Sequence, residues 1–287
     1  MKPFSPMRIP LSVLKWILIL HAVFLGFFLL VCLSLNFINP PFTALEIYRQ
    51  VFYHYRSRPM PFVRLSELPR SAAWMAVAAE DNTFWRHWGI EPYAVAEAAR
   101  KNRRIGYSMY GGSTINQQLA RTLFLWPKKW MVRKYMEAWI ALEMNFTMPK
   151  KRILELYLNR VEWGKGIYGI DAASRYYYGK SARELDREEV RCLVTVLPNP
   201  LRYSPVNAPE IRRFEDRYEL LGRGMAASHS AADRQQPMSA AGVSAASNEL
   251  SVSNASVVPV VPENTLTDAT TDLPPVSNLP STDEEGL

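Results

Sequence analysis

Cysteine and histidine are scarce in this chain: two cysteines and four histidines among 287 residues. Cys32 sits in an apolar run and Cys192 lies far along the chain, so no intramolecular disulfide is expected. No Cys/His cluster has metal-ligand spacing. No internal repeat is present, which excludes solenoid and propeller architectures. Basic residues are nearly missing from one end. Residues 226–287 hold one of the 34 Lys/Arg and eight of the 27 Asp/Glu, a net charge of −7 that leaves +14 on residues 1–225. A basic body points to an anionic partner, whether nucleic acid, anionic lipid or a phosphorylated substrate.

What is present begins with an apolar run from Trp16 to Leu35, whose one strongly polar member is His21. It is long enough to cross a bilayer as a helix. Lys2, Arg8 and Lys15 precede it, which favours a cytoplasmic N-terminus. No small-x-small cleavage site follows in residues 35–41, so the run is expected to stay as an anchor. A cleaved leader would give the same compartment. The expected organisation is a cytoplasmic N-terminus at 1–15, a transmembrane anchor at 16–36, a linker at 37–64, one globular domain at 65–222 and a disordered acidic tail at 223–287. That tail is rich in Ala, Ser, Thr, Pro and Val without periodicity, too poor in packable surface to offset chain entropy.

The domain reads as mainly α. Ser71 is placed to cap a first helix after Pro69. Tyr93 to Arg104 makes a second, running into a basic stretch, Arg100 to Gly106, expected as a loop. A third starts at Ser113 or Thr114, and a fourth contains Arg133 to Met148. Pro149 then suits the first turn of a helix through Asn159. Glycines at 164, 166, 169 and 179 break up a tyrosine-rich irregular segment, and Glu188 to Leu197 forms a last apolar helix before Pro198.

Two carboxylates stand where an exposed acid would be hard to explain. Glu80 ends the alanine-rich run Ser71 to Ala79, so its helix should pack and draw it partly out of water, an environment that suits a base. Glu137 follows Arg133 and Lys134 at the four- and three-residue spacings that bring side chains together on one helix face. Two acids in unlike environments are the usual arrangement for chemistry at a sugar carbon. Between them, Gly111-Gly112-Ser113-Thr114 opens a helix in which Thr114 and Gln117 fit a capping box. A glycine-opened helix start is a natural anion site. Each feature has an ordinary reading too: Glu80 as a helix-end acid facing water, Glu137 in an intrahelical ion pair, His87 as a satisfied histidine, the glycines as a plain loop-to-helix junction.

Taken in order, the motifs are more specific. They are Glu80-Asp81-x-x-Phe84-x-x-His87-x-Gly89, Gly111-Gly112-Ser113-Thr114-Ile115-x-Gln117-Gln118, Arg133-Lys134-x-x-Glu137, Ile153-Leu154-Glu155-Leu156-Tyr157-Leu158-Asn159 and Gly164-x-Gly166-Ile167-Tyr168-Gly169. The set resembles the peptidoglycan glycosyltransferases of family 51, most closely the monofunctional, penicillin-insensitive biosynthetic transglycosylases, over roughly residues 65–205. The resemblance implies a lysozyme-like helical head with a smaller membrane-facing jaw. It implies polymerisation of lipid II with release of undecaprenyl pyrophosphate, an α linkage becoming a β-1,4 bond. Glu80 is then the general base on the acceptor hydroxyl, and Glu137 assists the donor side by stabilising positive charge or organising the pyrophosphate site. Ser113, Thr114, Gln118, Arg121, Arg133 and Lys134 become holders of donor phosphates and sugars. Asp81, Phe84, His87 and Gln117 complete the implied substrate-binding set.

A pyrophosphate leaving group needs cations more than an acid proton, which suits one carboxylate sitting among bases. No cofactor is required and no spacing marks a metal site, although a divalent cation, magnesium or manganese, could share the pyrophosphate charge. The implied partners are lipid II, the growing glycan strand, membrane lipid and other cell-wall synthesis or division proteins, with no nucleic acid. The implied place is a bacterial inner membrane, single-pass, with the catalytic domain on the periplasmic face. Phe124, Leu125, Trp126, Trp130 and Met131 beside Lys128 and Lys129 suit a surface resting in the bilayer interface, or an ordinary core edge with solvated lysines. Departures from the family pattern are Arg121-Thr122 in place of lysine-asparagine, Asn116 in place of threonine or serine, and a tail without counterpart. The competing readings are a lytic transglycosylase or muramidase, which would not need the bases around Glu137, and a non-catalytic cell-wall scaffold. A bifunctional synthase is not expected, because the S-x-x-K match at Ser12 to Lys15 lies in the membrane segment and no K-T-G follows.

Overall fold

Residues 10–59, 61–106, 111–128 and 130–223 are described by the structure, a computed structural model. The tail expected beyond residue 223, the first nine residues and Lys129 lie outside them. The apolar run forms α1 (Leu11–Ser34), a helix long and apolar enough to cross a membrane. After it, α2 (Ala44–Tyr53) starts at Thr43, whose hydroxyl accepts from the Glu46 amide. Then come α3 (Arg70–Glu80), α4 (Pro92–Ile105), α5 (Ile115–Phe124), α6 (Met131–Thr147) and α7 (Lys150–Arg160). A short antiparallel hairpin, β1 (Glu162–Gly164) with β2 (Ile167–Tyr168), leads to α8 (Ile170–Tyr178) and α9 (Arg187–Val196). Residues 215–223 are again helical. The mainly α expectation holds.

The centre of the core is α5. Ile115, Leu119 and Leu123 recur at four-residue spacing and are buried, each removing apolar surface worth about 1.5–3 kcal/mol. Helices α6, α7 and α2 pack around α5, and α3 lies on α9. Small residues, Ala72 and Ala76, with Met75 between them, make the buried face of α3. Gly112 lets α4 approach: a Cβ there would lie 2.5 Å from the Val95 Cα. Gly89 takes φ of 104° and its backbone lies against the Ala141 carbonyl, where a Cβ would sit 2.4 Å from the oxygen. Only glycine meets both conditions without strain.

Several local expectations are corrected. The first helix begins at Arg70 with Pro69 at its cap position and no side-chain cap; Ser71 lies inside it. The basic stretch before Gly106 is the C-terminal part of α4, which Gly106 ends in the left-handed conformation. The described part of the segment expected as a linker, 37–64, contains a helix and is tied to the domain. Besides α2, the Arg58 amide donates to the Gly166 carbonyl (2.9 Å), and Asn159 exchanges hydrogen bonds with both backbone groups of Val63 (2.9 and 2.8 Å). The irregular glycine-rich segment contains α8, held between Gly169 and Gly179.

The anchor is docked along the domain. His21 meets the Tyr135 hydroxyl at 3.2 Å and the Trp139 ring edge-on at 5.3 Å, and Phe28 packs on Phe124. At its exit the Asn36 amide donates to the Thr147 carbonyl (2.9 Å). One guanidinium, that of Arg152 at the start of α7, donates to the Leu35 and Ile38 carbonyls (2.8 and 3.2 Å) and to Asn39 Oδ1 (2.6 Å).

Candidate active site

Glu80 ends α3 with 11% of its side chain exposed. Its Oε1 is ion-paired to Arg217, and its Oε2 accepts from Gln118 Nε2 at 3.0 Å. Arg217, only 2% exposed, also donates to the carbonyls of Ala79 (2.9 Å) and Val194 (3.0 Å). Glu80 is drawn largely out of water, as its place at the end of the alanine-rich run suggested, but with a cation as its neighbour. Gln118 is oriented in turn by Tyr157, whose hydroxyl donates to Gln118 Oε1 at 3.1 Å. Burial holds the Tyr157 phenol well above its ordinary titration range, so it stays a donor.

Glu137 is fully buried. Arg133 Nη1 lies 2.5 Å from Oε2 and Lys134 Nζ 2.6 Å from Oε1. Lys134 also donates to Ser113 Oγ at 2.8 Å. A polar chain therefore joins the two acids: Glu80 to Gln118, Gln118 to the Ser113 carbonyl at 3.4 Å, Ser113 to Lys134, Lys134 to Glu137. The third motif builds its site locally, since one face of α6 carries all three charged groups.

Two cavities meet at Glu80. The first, about 680 Å³, is lined by Ser113, Gln118, Arg121, Arg133 and Lys134 from the predicted set, with Arg49 and Arg213 added. Arg49, on α2, pairs with Glu162 at 3.1 Å. The second, about 610 Å³, lies between α3 and α4 and includes Asp81 and Thr114. Arg121 keeps a cation where the expected lysine would have stood. The acceptor set of the first cavity does not fit a protein-held divalent ion. Its charged side chains are six cations against Glu80 and Glu162, each of these paired with an arginine, and among the described residues no group of three or more His, Cys, Asp or Glu could hold a metal.

The matching family signature, described as Transglycosylase, covers residues 48–226. The chain belongs to the transglycosylase family. It is 38% identical over 198 residues to the biosynthetic peptidoglycan transglycosylase of Ectopseudomonas mendocina, covering 68% of this chain and 78% of that one. It is 41% identical over 187 residues to the protein of the same name from Shewanella oneidensis, covering 62% and 78%. Against penicillin-binding protein 1A of Aquifex aeolicus the identity is 42% over 162 residues, 56% of this chain but 22% of that longer protein.

Within the transglycosylase domain several motif residues are structural. Phe84 is fully buried and lines neither cavity. His87 Nδ1 accepts from the Gly89 amide (2.9 Å), which leaves Nε2 as the protonated nitrogen donating to Asp81 Oδ2 (2.8 Å). The same Asp81 oxygen accepts from the Ile115 amide at 2.9 Å, tying the first motif to the start of α5. Gln117 is the reciprocal half of the capping box with Thr114, as the spacing predicted, and faces neither cavity. Thr114 also donates to the Gly89 carbonyl at 2.6 Å. Glu137 too lines neither cavity; its carboxylate faces its two cations. The residues that motif reasoning missed are Arg217, Tyr157 and Arg49. Tyr157 stood inside a recognised motif but carried no sign of its contact with Gln118. Arg217 and Arg49 reach the site from distant segments.

Proposed function

We propose that this transglycosylase polymerises lipid II into peptidoglycan glycan strands by inverting transfer. The observation that carries the reading is the placement of Glu80 where a cation-lined cavity meets a second, less basic one. In this reading the acceptor's sugar hydroxyl lies against the Glu80 carboxylate. Its oxygen attacks C1 of the donor sugar, the C1–O bond to pyrophosphate breaks, and the bonding pair leaves with the phosphate. The hydroxyl proton passes to Glu80. An ionised carboxylate has about four lone-pair sites, so the contacts to Arg217 and Gln118 leave room for it.

Arg121, Arg133 and Lys134 carry the charge of the departing pyrophosphate. Positioned cations in a partly water-excluded cleft act on charge as it develops. Glu137 is then a positioning residue that fixes Arg133 and Lys134, and Ser113 links Lys134 to the glycine-opened turn. A lytic enzyme would have no use for three bases beside its acid. α1 crosses the bacterial inner membrane with the catalytic domain on its outer face, where lipid-linked substrates arrive in the bilayer plane. The test is polymerisation of lipid II by the full chain in detergent. The wild type gives long glycan and Glu80→Gln almost none; equal polymer from both removes Glu80 as the base.

A further inference from the structure

The second cavity has an aromatic lining that the proposed chemistry does not use. Trp74 projects from α3 with 42% exposure, on the side opposite Ala72, Met75 and Ala76, which fill the core. Tyr93, 81% exposed, stands at the opening of α4, where Pro92 starts the helix and the Glu91 carboxylate accepts from its amide (3.3 Å). Both line the cavity that reaches Glu80. Trp74 thus keeps a large open face on a helix already buried on its other side.

We infer that Trp74 and Tyr93 form a stacking subsite for the β-1,4-linked sugars of the growing strand; this rests on the functional reading above. A pyranose ring presents an apolar C–H face, and an aromatic ring offers a large flat surface whose negative face attracts those hydrogens. The charge of the cavity supports sugars over phosphate. Its cations are each held by a carboxylate: Arg217 by Glu80, Lys101 by Glu97 (2.7 Å) and Arg223 by Glu219 (2.6 Å). Asp81 and Glu91 add negative charge to the wall. The first cavity, by contrast, sets Arg49, Arg121, Arg133, Lys134, Arg213 and Arg217 against only Glu80 and Glu162. Spacing supports a strand of several sugars. Trp74 precedes Glu80 by six positions on one rigid helix, about 9 Å along the axis, the reach of a two-sugar repeat rather than of one ring. Gly112 fixes the opposite wall by letting α4 lie against it.

The experiment uses the full chain in detergent, with lipid II as acceptor and either lipid II or a lipid-linked tetrasaccharide as donor. For Trp74→Ala the KM of the tetrasaccharide donor rises about three- to ten-fold more than that of lipid II, the scale of one aromatic contact, and the polymer shortens. Trp74→Phe restores most of both, and Tyr93→Ala gives a smaller shift in the same direction. An equal effect on the two donors, or no change in either KM or product length, overturns the subsite while the functional reading stands. Absence of polymer from the wild type overturns that reading and the subsite with it.

Discussion

Glu80 and Glu137 both end on a guanidinium, yet the cation reaches each by a different route. At Glu137 it comes from one turn away on the same helix, with Lys134 alongside, so α6 alone assembles the group. At Glu80 it comes from Arg217, on a segment of chain that must first fold back onto α3 and α9. The difference separates two kinds of site construction. The charge cluster around Glu137 exists wherever α6 is helical, whereas the setting of Glu80 exists only after the 215–223 helix has docked. The setting of Glu80 is therefore tied to completion of the fold, whereas the pairing of Glu137 with Arg133 and Lys134 is local to α6.

Substitutions can break this contrast in graded steps. The largest effect is expected at Glu80→Gln, a loss of about 10²–10⁴ in polymerisation rate, the usual value of a positioned base, with the fold retained by circular dichroism. Next is Arg217→Met. Leaving a largely buried acid without its partner costs up to about 3–5 kcal/mol, read as a lower denaturation midpoint. If the pairing carries that cost, the double variant Glu80→Gln/Arg217→Met recovers part of the stability and none of the activity. Glu137→Gln is expected to lose about 10²-fold in rate, the scale of one electrostatic contact to the reaction, while unfolding changes less than for Arg217→Met.

A third acid sharpens the comparison because it has no cation. Glu143 lies two turns further along α6 from Glu137, buried, with Oε2 unpartnered. Burial raises its carboxyl from 4.5 to about 7. Below 4.5 the folded and unfolded states both hold the proton, so there is no penalty. Between 4.5 and 7 only the unfolded state releases it, and wild-type stability falls as pH rises through that window. Glu143→Gln should therefore match the wild type near pH 4 and exceed it above pH 7 by up to about 3 kcal/mol. Parallel stability curves across this range would remove the uncompensated charge from the account.

What could be seen in the sequence divides along the same line. The Arg133, Lys134 and Glu137 cluster and the Thr114–Gln117 capping box are set by spacings of three and four, which a helix converts directly into contacts. Arg217 gave no such sign: within Arg212-Arg213-Phe214-Glu215-Asp216-Arg217 it is one charge among several, and only tertiary docking buries it. Phe84 and His87 were legible as a motif but not as to purpose. His87 secures the turn after α3 through Asp81 and Phe84 does so by its burial, so the motif's pattern reflects packing as well as chemistry. The helix at 170–178 was hidden because glycines at both ends resemble irregular chain until they are seen to be its boundaries.

Arg152 gives the anchor a mechanical character. A helix tethered by loose chain would act as a leash, letting the enzyme wander through a cap-shaped volume above its point of attachment. Here one guanidinium grips the last carbonyls of the anchor and the side chain beyond them, while Asn36 fastens to the end of α6. The anchor behaves as a mast stepped into the hull. If α1 crosses the bilayer as proposed, any tilt of it swings α6, and Arg133 and Lys134 with it, so the height of these cations above the lipid follows from the docking of a helix and not from the slack of a linker.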